Sequence, residues 1–384
     1  MKNVNFKTLL FFASQVLSFS LSAQKQFKLI VQLPQGINSE KVEAWLEDGK
    51  TANQIVPQSR TKNQLVLTGD YYSIYAAVNL QYAAEPPIRT FANTFFIQDK
   101  PATLKFYPSD SAQYPFKNYS LLNAWDFKND KKQMQDYAFG ERQKALDYEA
   151  EYGDKIFGRD TAIRNGYIKL SNALREKKLQ YIISHQNSYY SFYSFKSDIA
   201  TSNVLTPDSL LAVFNAFPNK FKYSDEGNFL NQFLQGKQSV QNKGNAIDFT
   251  TRDINKKTIK LSDLKGGKFV LLHFWATWCT PCMKEIPAIK QINDQYKSKD
   301  LQIISIALPS SKYADYLKTI NKFQMNWINV YNDDDLQNKY GKQPTPRLCL
   351  IDKYRKVVYD SVGVEASDFQ LSALKEKLQE VTCN

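Results

Sequence analysis

All cysteines of this 384-residue chain lie in its last third, and they are Cys279, Cys282, Cys349 and Cys383. A small secreted domain that depends on disulfides would carry many cysteines close together. The first two thirds of the chain must therefore fold around apolar cores without any disulfide. The length predicts two or three domains, on a prior of about 100 to 200 residues each.

Residues 1–23 have the pattern of an export signal. Lys2 and Lys7 accompany a run of apolar and small residues, and Ala23 offers a cleavage site. The apolar run is short and is broken by Ser and Gln, which argues against a membrane-spanning helix. We therefore expect a periplasmic or secreted protein whose mature form has no transmembrane segment.

The formal net charge is +12, but the basic residues are spread along the chain. Nucleic-acid binding needs a local basic patch. We therefore expect no nucleic-acid partner.

The mature chain divides into three parts by pattern. Residues 24–118 contain short alternating runs such as "FKLIVQL" with turn signals between them, which predicts a β-sandwich or partial barrel. Residues 119–240 have helical periodicity and contain the aromatic run "SYYSFYSF", which is more typical of a helical core than of a stacking platform. Residues 241–384 alternate apolar strand runs with helical patterns, which predicts an α/β layered domain.

Cys279 and Cys282 form a Cys-x-x-Cys pair after the apolar run "KFVLLHFWA". Structural zinc needs four ligands, and the chain has no second such pair. A disulfide between residues three positions apart closes a very short ring and contributes little stability. Redox chemistry explains the spacing better than either alternative.

Local physics assigns different roles to the two sulfurs. A helix that starts at Cys279 favours its thiolate, because unpaired N–H groups and the helix dipole face it. Cys279 is therefore predicted to attack, and Cys282, one turn inside, to resolve the mixed disulfide. Pro281 suits the first helical turn.

Several spaced motifs resemble the thioredoxin superfamily, in particular its extracytoplasmic TlpA/ResA-like branch. They are "GNAIDF" from Gly244, "LSDLKG" from Leu261, "FWATWCTPCMKEIP" from Phe274 and the later "TPRLCLID". The resemblance implies a thioredoxin-like fold over about residues 241–381 and thiol-disulfide oxidoreductase activity without a cofactor. The β-rich and helical parts resemble, more faintly, the accessory region of secreted relatives.

The resemblance also implies roles for individual residues. Pro346, preceded by Thr345, matches the cis-proline that faces the cysteines, and Trp278 matches the aromatic residue beside the nucleophile. Thr280 and Pro281, between the cysteines, resemble those of reductive members. Partners would be a protein dithiol or disulfide substrate and an electron-donor protein, in the membrane or elsewhere outside the cytoplasm.

Two polar positions near the pair have alternative interpretations. His273 stands where thioredoxins place a buried acid, so it either moves the proton of Cys282 or is a satisfied core histidine. Glu285 matches an acidic residue of the active-site helix and is either catalytic or an exposed carboxylate that complements the helix dipole.

The other two cysteines, Cys349 and Cys383, are not part of a Cys-x-x-Cys pair. Cys349 lies in a buried-strand pattern and is predicted to be a small apolar core residue, while a bridge to Cys383 remains an alternative.

Two other functions compete with a reductase. A peroxiredoxin-like peroxidase shares the fold but needs a Pro-x-x-x-Thr-x-x-Cys setting that "HFWATWC" lacks. A secreted binding protein would use residues 24–240 to hold its partner, with the redox domain as an accessory.

Overall fold

The computed structural model describes residues 24–49, 52–83, 89–108, 116–157, 160–202, 204–241, 244–264, 268–308, 312–340, 345–361 and 370–382. The predicted export signal and Cys383 lie outside these ranges. Within them, no helix combines the length and the apolar character that crossing a bilayer requires.

The first part of the chain is a sandwich of two five-stranded sheets, ordered β4-β5-β1-β8-β9 and β10-β7-β6-β2-β3. Alternate residues of the strands face the space between the sheets, so that Phe27, Leu29 and Val31 are buried while their neighbours are less so. Neighbouring strands run antiparallel except β1 and β8, which are parallel. The strands are β1 (Lys25–Gln32), β2 (Val42–Glu47), β3 (Ala52–Ile55), β4 (Ser59–Thr61), β5 (Gln64–Tyr71), β6 (Ala76–Ala83), β7 (Arg89–Ile97), β8 (Ala102–Phe106), β9 (Tyr119–Leu122) and β10 (Ala124–Trp125).

The sandwich extends beyond residue 118, where the sequence pattern placed the start of the helical region. Strand β9 pairs with β8, and β10 pairs with β7. These strands have four and two residues, too few for an alternating pattern to stand out. The first α-helix begins at Lys128.

The helical region follows the sandwich. Side chains of Asp160, Ser188 and Thr206 cap three of its helices. The aromatic run buries Tyr189, Phe192, Tyr193 and Phe195 in the core, as expected of a helical domain. The helices are α1 (Lys128–Tyr137), α2 (Phe139–Tyr152), α3 (Thr161–Ser184), α4 (Tyr189–Ser194), α5 (Pro207–Ala216), α6 (Asn219–Lys222) and α7 (Asp225–Gln241), with a π-helical turn at Phe195–Ile199 after α4.

The C-terminal domain contains a five-stranded sheet of order β15-β14-β13-β16-β17 and a separate hairpin, β11-β12. Strands β13, β14 and β15 are parallel, and β16 and β17 are antiparallel to their neighbours. The strands are β11 (Thr250–Arg252), β12 (Thr258–Lys260), β13 (Phe269–Trp275), β14 (Leu301–Ala307), β15 (Ile328–Tyr331), β16 (Arg347–Ile351) and β17 (Val357–Asp360). The helices are α8 (Thr280–Tyr296), α9 (Tyr313–Phe323), α10 (Asp334–Lys339) and α11 (Ser372–Thr382).

Every residue of the central strand β13 is buried, and successive side chains point to opposite faces of the sheet. Leu271 packs in one cluster with residues of α8 and α11. Leu272 and Phe274 pack in another cluster with residues of α10 and the hairpin. The sheet is therefore covered on both faces, as predicted for an α/β domain.

The helical region packs against the C-terminal domain through α7 and α10. The Asn338 side-chain amide donates a hydrogen bond to the Phe229 carbonyl at 2.9 Å. Asn338 lies in α10, which precedes β16 in the sequence by a short connection that includes Thr345.

Candidate active site

The cysteine pair lies where β13 ends and α8 begins. The buried strand delivers the chain to the edge of the sheet, and Cys279 is the N-cap residue of α8. Pro281 lies in the first turn, where its missing N–H removes no helical hydrogen bond. The cysteines therefore lie at a helix N-terminus, where the dipole favours negative charge.

Cys279 and Cys282 form a disulfide with an S–S distance of 2.04 Å and a Cα–Cα distance of 5.2 Å. The Cys282 backbone N–H donates a hydrogen bond to the Cys279 sulfur at 3.2 Å. Cys282 is fully buried, whereas Cys279 is 3% exposed. The sulfur of Cys279 is therefore the one that an N-terminal amide of the helix stabilises as a thiolate.

The Thr345–Pro346 peptide bond is cis, as the resemblance implied for this proline. Arg347, the next residue, lies opposite Phe274 in the antiparallel pair of β16 and β13. Because β13 ends one residue beyond Phe274, Pro346 lies at the same edge of the sheet as the cysteines.

The surface at this edge combines exposed and half-buried side chains. Trp278 is 61% exposed and Thr280 is exposed, while Pro281, Thr345 and Pro346 are half-buried. These five residues therefore leave accessible surface near the N-terminus of α8 and the start of β16.

His273 in β13 and Glu285 in α8 lie next to each other in the interior of the domain. The side chain of His273 is fully buried, and that of Glu285 is 6% exposed. Nε2 of His273 lies 3.3 Å from Oε1 of Glu285, but the two atoms do not meet hydrogen-bond geometry. The interpretation of Glu285 as an exposed carboxylate is therefore wrong. Helix α8 packs on the face of β13 that carries His273 and Trp275, and this packing buries Glu285.

Ser305 contacts the other side of His273 and is itself bonded to Trp327, and the sequence singled out neither residue. Nδ1 of His273 lies 2.9 Å from the Ser305 hydroxyl, which accepts a hydrogen bond from the Trp327 indole at 2.7 Å. When the Ser305 proton is donated to Nδ1, the proton of a neutral imidazole is on Nε2 and faces Glu285. A polar residue inside the apolar run "LQIISIAL" was the only sequence signal for Ser305.

Cys349 is a fully buried free thiol in β16, in agreement with its prediction as a core residue. Burial raises the pKa of this thiol to about 12. Cys383 lies outside the described residues, so the alternative of a bridge between these two residues stays untested.

His185 lies at the end of α3, stacked on Tyr181 at a ring distance of 3.9 Å. Its Nδ1 lies 2.9 Å from the Tyr181 carbonyl, which suits a helix-end residue. Within the part of the chain that the structure describes, no group of three or more His, Cys, Asp or Glu residues could hold a metal ion.

Comparison with known proteins identifies the C-terminal domain. Residues 241–378 match the Redoxin family, in agreement with the predicted thioredoxin-like fold. Thiol-disulfide oxidoreductase ResA from Bacillus thuringiensis (strain Al Hakam) is 33% identical over 147 residues, which cover 38% of this chain and 83% of the relative. ResA from Bacillus subtilis (strain 168) is 36% identical over 129 residues, 33% of this chain and 71% of the relative.

A solved structure, described as a putative thiol:disulfide interchange protein DsbE from Chlorobium tepidum, is 30% identical to this chain. The match covers 36% of this chain and 95% of that structure, with a TM-score of 0.32.

Proposed function

Because the chain belongs to the ResA-like thiol-disulfide oxidoreductases of the thioredoxin superfamily, we propose that it reduces disulfides of protein substrates outside the cytoplasm. The observation that carries this proposal is the Cys279–Cys282 disulfide at the N-terminus of α8, with the Cys282 N–H directed at the Cys279 sulfur. In this proposal, the structure corresponds to the oxidised enzyme after it has transferred two electrons.

In the reduced enzyme, the Cys279 thiolate attacks one sulfur of the substrate disulfide. A mixed disulfide forms, and the other substrate sulfur leaves as a thiolate that takes up a proton. The Cys282 thiol then loses its proton and displaces the substrate from Cys279. The substrate leaves as a dithiol, and the enzyme is left with the Cys279–Cys282 bond.

We assign proton transfer at Cys282 to Glu285 and His273. Glu285 lies three residues after Cys282 in α8, so the two side chains are neighbours on one helix face. The Glu285 carboxylate can accept the Cys282 proton and becomes a neutral carboxylic acid, and Nε2 of His273, 3.3 Å from Oε1, can take that proton on. The Ser305 hydroxyl orients the imidazole from its other side.

The substrate groove in this proposal is the surface formed by Trp278, Thr280, Pro281, Thr345 and Pro346. An extended substrate segment would lie against the two prolines, with its disulfide over Cys279. Thr280 and Pro281 favour the reducing direction, on the basis of the family resemblance described above.

The compartment and the redox partner belong to the same proposal. Residues 1–23 would direct export, and residues 24–240 would form an accessory region of the exported protein. Since the compartment is oxidising, a membrane or extracytoplasmic dithiol protein must return electrons to the Cys279–Cys282 disulfide.

Trapping the mixed disulfide tests the assignment of the two cysteines. Cys282→Ser removes the resolving sulfur, so we expect Cys279 to stay bonded to its substrate in covalent complexes visible on non-reducing gels. Cys279→Ser is the matched control and should trap far less. Equal trapping by both variants would contradict the assigned roles, and no reduction of insulin disulfides by wild type would contradict the function.

The role of His273 is tested through pH. Disulfide reduction by His273→Asp and His273→Ala should depend on pH differently from wild type, because each variant changes the group that faces Glu285. Rates that match wild type across the pH range in both variants would exclude a role for His273 in proton transfer.

A further inference from the structure

Arg347, the residue directly after Pro346, is 3% exposed, and it pairs with Phe274 and so lies on the sheet face opposite to His273. Its Nε and Nη2 atoms each lie 3.0 Å from an oxygen of Asp360, at the end of β17. Its guanidinium carbon lies 5.7 Å from the centre of the Phe274 ring. This buried group thus contacts both strands that flank its own, β17 and β13, and β13 leads to Cys279.

The same guanidinium also contacts a residue that comes before the cis bond in the chain. Nη1 of Arg347 donates a hydrogen bond to the carbonyl of Tyr340, five residues before Thr345. Tyr340 is itself fixed, because its hydroxyl donates to the Ile247 carbonyl at 3.0 Å and its ring is buried. One side chain therefore connects the residues on either side of Thr345 and Pro346.

The geometry requires arginine rather than any positive charge. A guanidinium has five donors in a rigid plane, so it can bind a carboxylate with two parallel hydrogen bonds and a carbonyl with a third. A lysine ammonium at this position would keep the charge but lose the paired contact with Asp360. Burial makes the loss more costly, because water does not replace the missing bonds.

We propose that Arg347 is a positioning residue of the substrate groove. Through its contacts with Asp360, Tyr340 and Phe274, Arg347 holds Thr345 and Pro346 at a fixed distance from Cys279. The inference rests on the proposed function, since the groove matters only if a protein disulfide binds there. Arg347 does not contact the disulfide, so its effect falls on substrate binding and not on the redox potential.

Arg347→Lys tests the proposal through kinetics with insulin as the protein disulfide and dithiothreitol as the electron donor. We expect KM to rise about tenfold while kcat changes less than about twofold, because the groove is displaced and the cysteines are not. The redox potential, measured against glutathione, should equal that of wild type. Arg355→Lys is the matched control, because Arg355 is an exposed arginine that contacts Asp248 at 3.6 Å.

Asp360→Asn is a second variant that removes the charge of the partner and leaves Arg347 in place. It should raise KM in the same direction by a smaller factor. An unchanged KM in folded Arg347→Lys, or a shifted potential, would overturn the proposal, as would failure of both variants to fold. If wild type itself does not reduce insulin, the proposed function fails instead.

Discussion

The helical region and the C-terminal domain each contain a buried carboxylate beside a side chain that can carry a positive charge, and the two pairs are bonded differently. In the helical region, Lys196 Nζ lies 2.5 Å from Glu226 Oε1, and the Tyr189 hydroxyl donates to Glu226 Oε2 at 3.1 Å. Both carboxylate oxygens are thus bonded. In the C-terminal domain, His273 Nε2 and Glu285 Oε1 lie 3.3 Å apart without hydrogen-bond geometry to each other or to any other described group.

Under the proposed function, this difference separates a structural pair from a pair that exchanges a proton with Cys282. Burial acts to lower the pKa of Lys196, but the carboxylates of Glu226 and Glu47 outweigh it and raise the pKa. Lys196 therefore stays charged, and its pair serves the fold. His273 and Glu285 have unused hydrogen-bonding capacity beside a bond whose cleavage requires protons. Buried polar atoms with this property are candidates for chemistry.

The largest effect should come from removing Glu226. Glu226→Ala leaves the Lys196 ammonium, whose side chain is only 17% exposed, without the carboxylate that it contacts, so the free energy of unfolding should fall by about 3 to 5 kcal/mol in urea titrations. Asp136→Ala, which breaks an exposed pair with Lys132, should cost less than about 1 kcal/mol. A loss below about 1 kcal/mol in Glu226→Ala would remove the contrast between the two pairs.

In contrast to Glu226→Ala, Glu285→Gln should lower the rate of catalysis far more than the free energy of unfolding. The amide keeps the shape but cannot accept the Cys282 proton, so insulin reduction should slow about a hundredfold. The free energy of unfolding should change by about 1 kcal/mol or less. Glu376→Gln on α11, at an exposed position, is the matched control. Turnover within twofold of wild type would show that Glu285 is structural.

Lys237 in α7 is a further buried charge, and Arg347 of the C-terminal domain acts on it electrostatically. Its ammonium donates to the Ala200 and Ser202 carbonyls at 3.1 and 2.9 Å. Burial, followed by the positive charge of Arg347, lowers the pKa of Lys237 to about 8 from 10.5. The folded state thus loses this proton at lower pH than the unfolded state does.

Stability should therefore rise as pH increases from about 8 towards 10.5, because the unfolded chain binds more protons in this window. Between pH 7 and pH 9.5, we expect wild type to gain about 2 kcal/mol relative to Lys237→Met. Urea unfolding of both proteins at each pH measures this difference. A constant difference would mean that Lys237 keeps its charge across the window.

The smallest effect concerns Cys349. Because burial raises the pKa of its thiol to about 12, native reduced protein should react with iodoacetamide at Cys279 and not at Cys349 at pH 8. Mass spectrometry of tryptic peptides detects the difference, and labelling in urea is the control. Comparable native labelling of both thiols would show that Cys349 is accessible.

The sequence predicted those features that depend on neighbours along the chain. Alternation in "FKLIVQL" predicted a strand with one buried face. The cysteine pair after an apolar run predicted a helix with Cys279 at its N-terminus. Strands β9 and β10 were missed because they are short and form only through pairing with β8 and β7. No sequence signal predicted that the helical region would contact Asn338 of the C-terminal domain.

By itself, then, the sequence determined the order of the three parts, the α/β pattern of the last one and the position of the cysteine pair, because periodicity and capping are local properties. Only the tertiary structure decided which charged groups meet. Glu285 reaches His273, and Asp360 reaches Arg347, because sheet faces and strand register bring together residues that are 12 and 13 positions apart in the chain. Such pairings depend on how elements pack, and no spacing rule along one element specifies them.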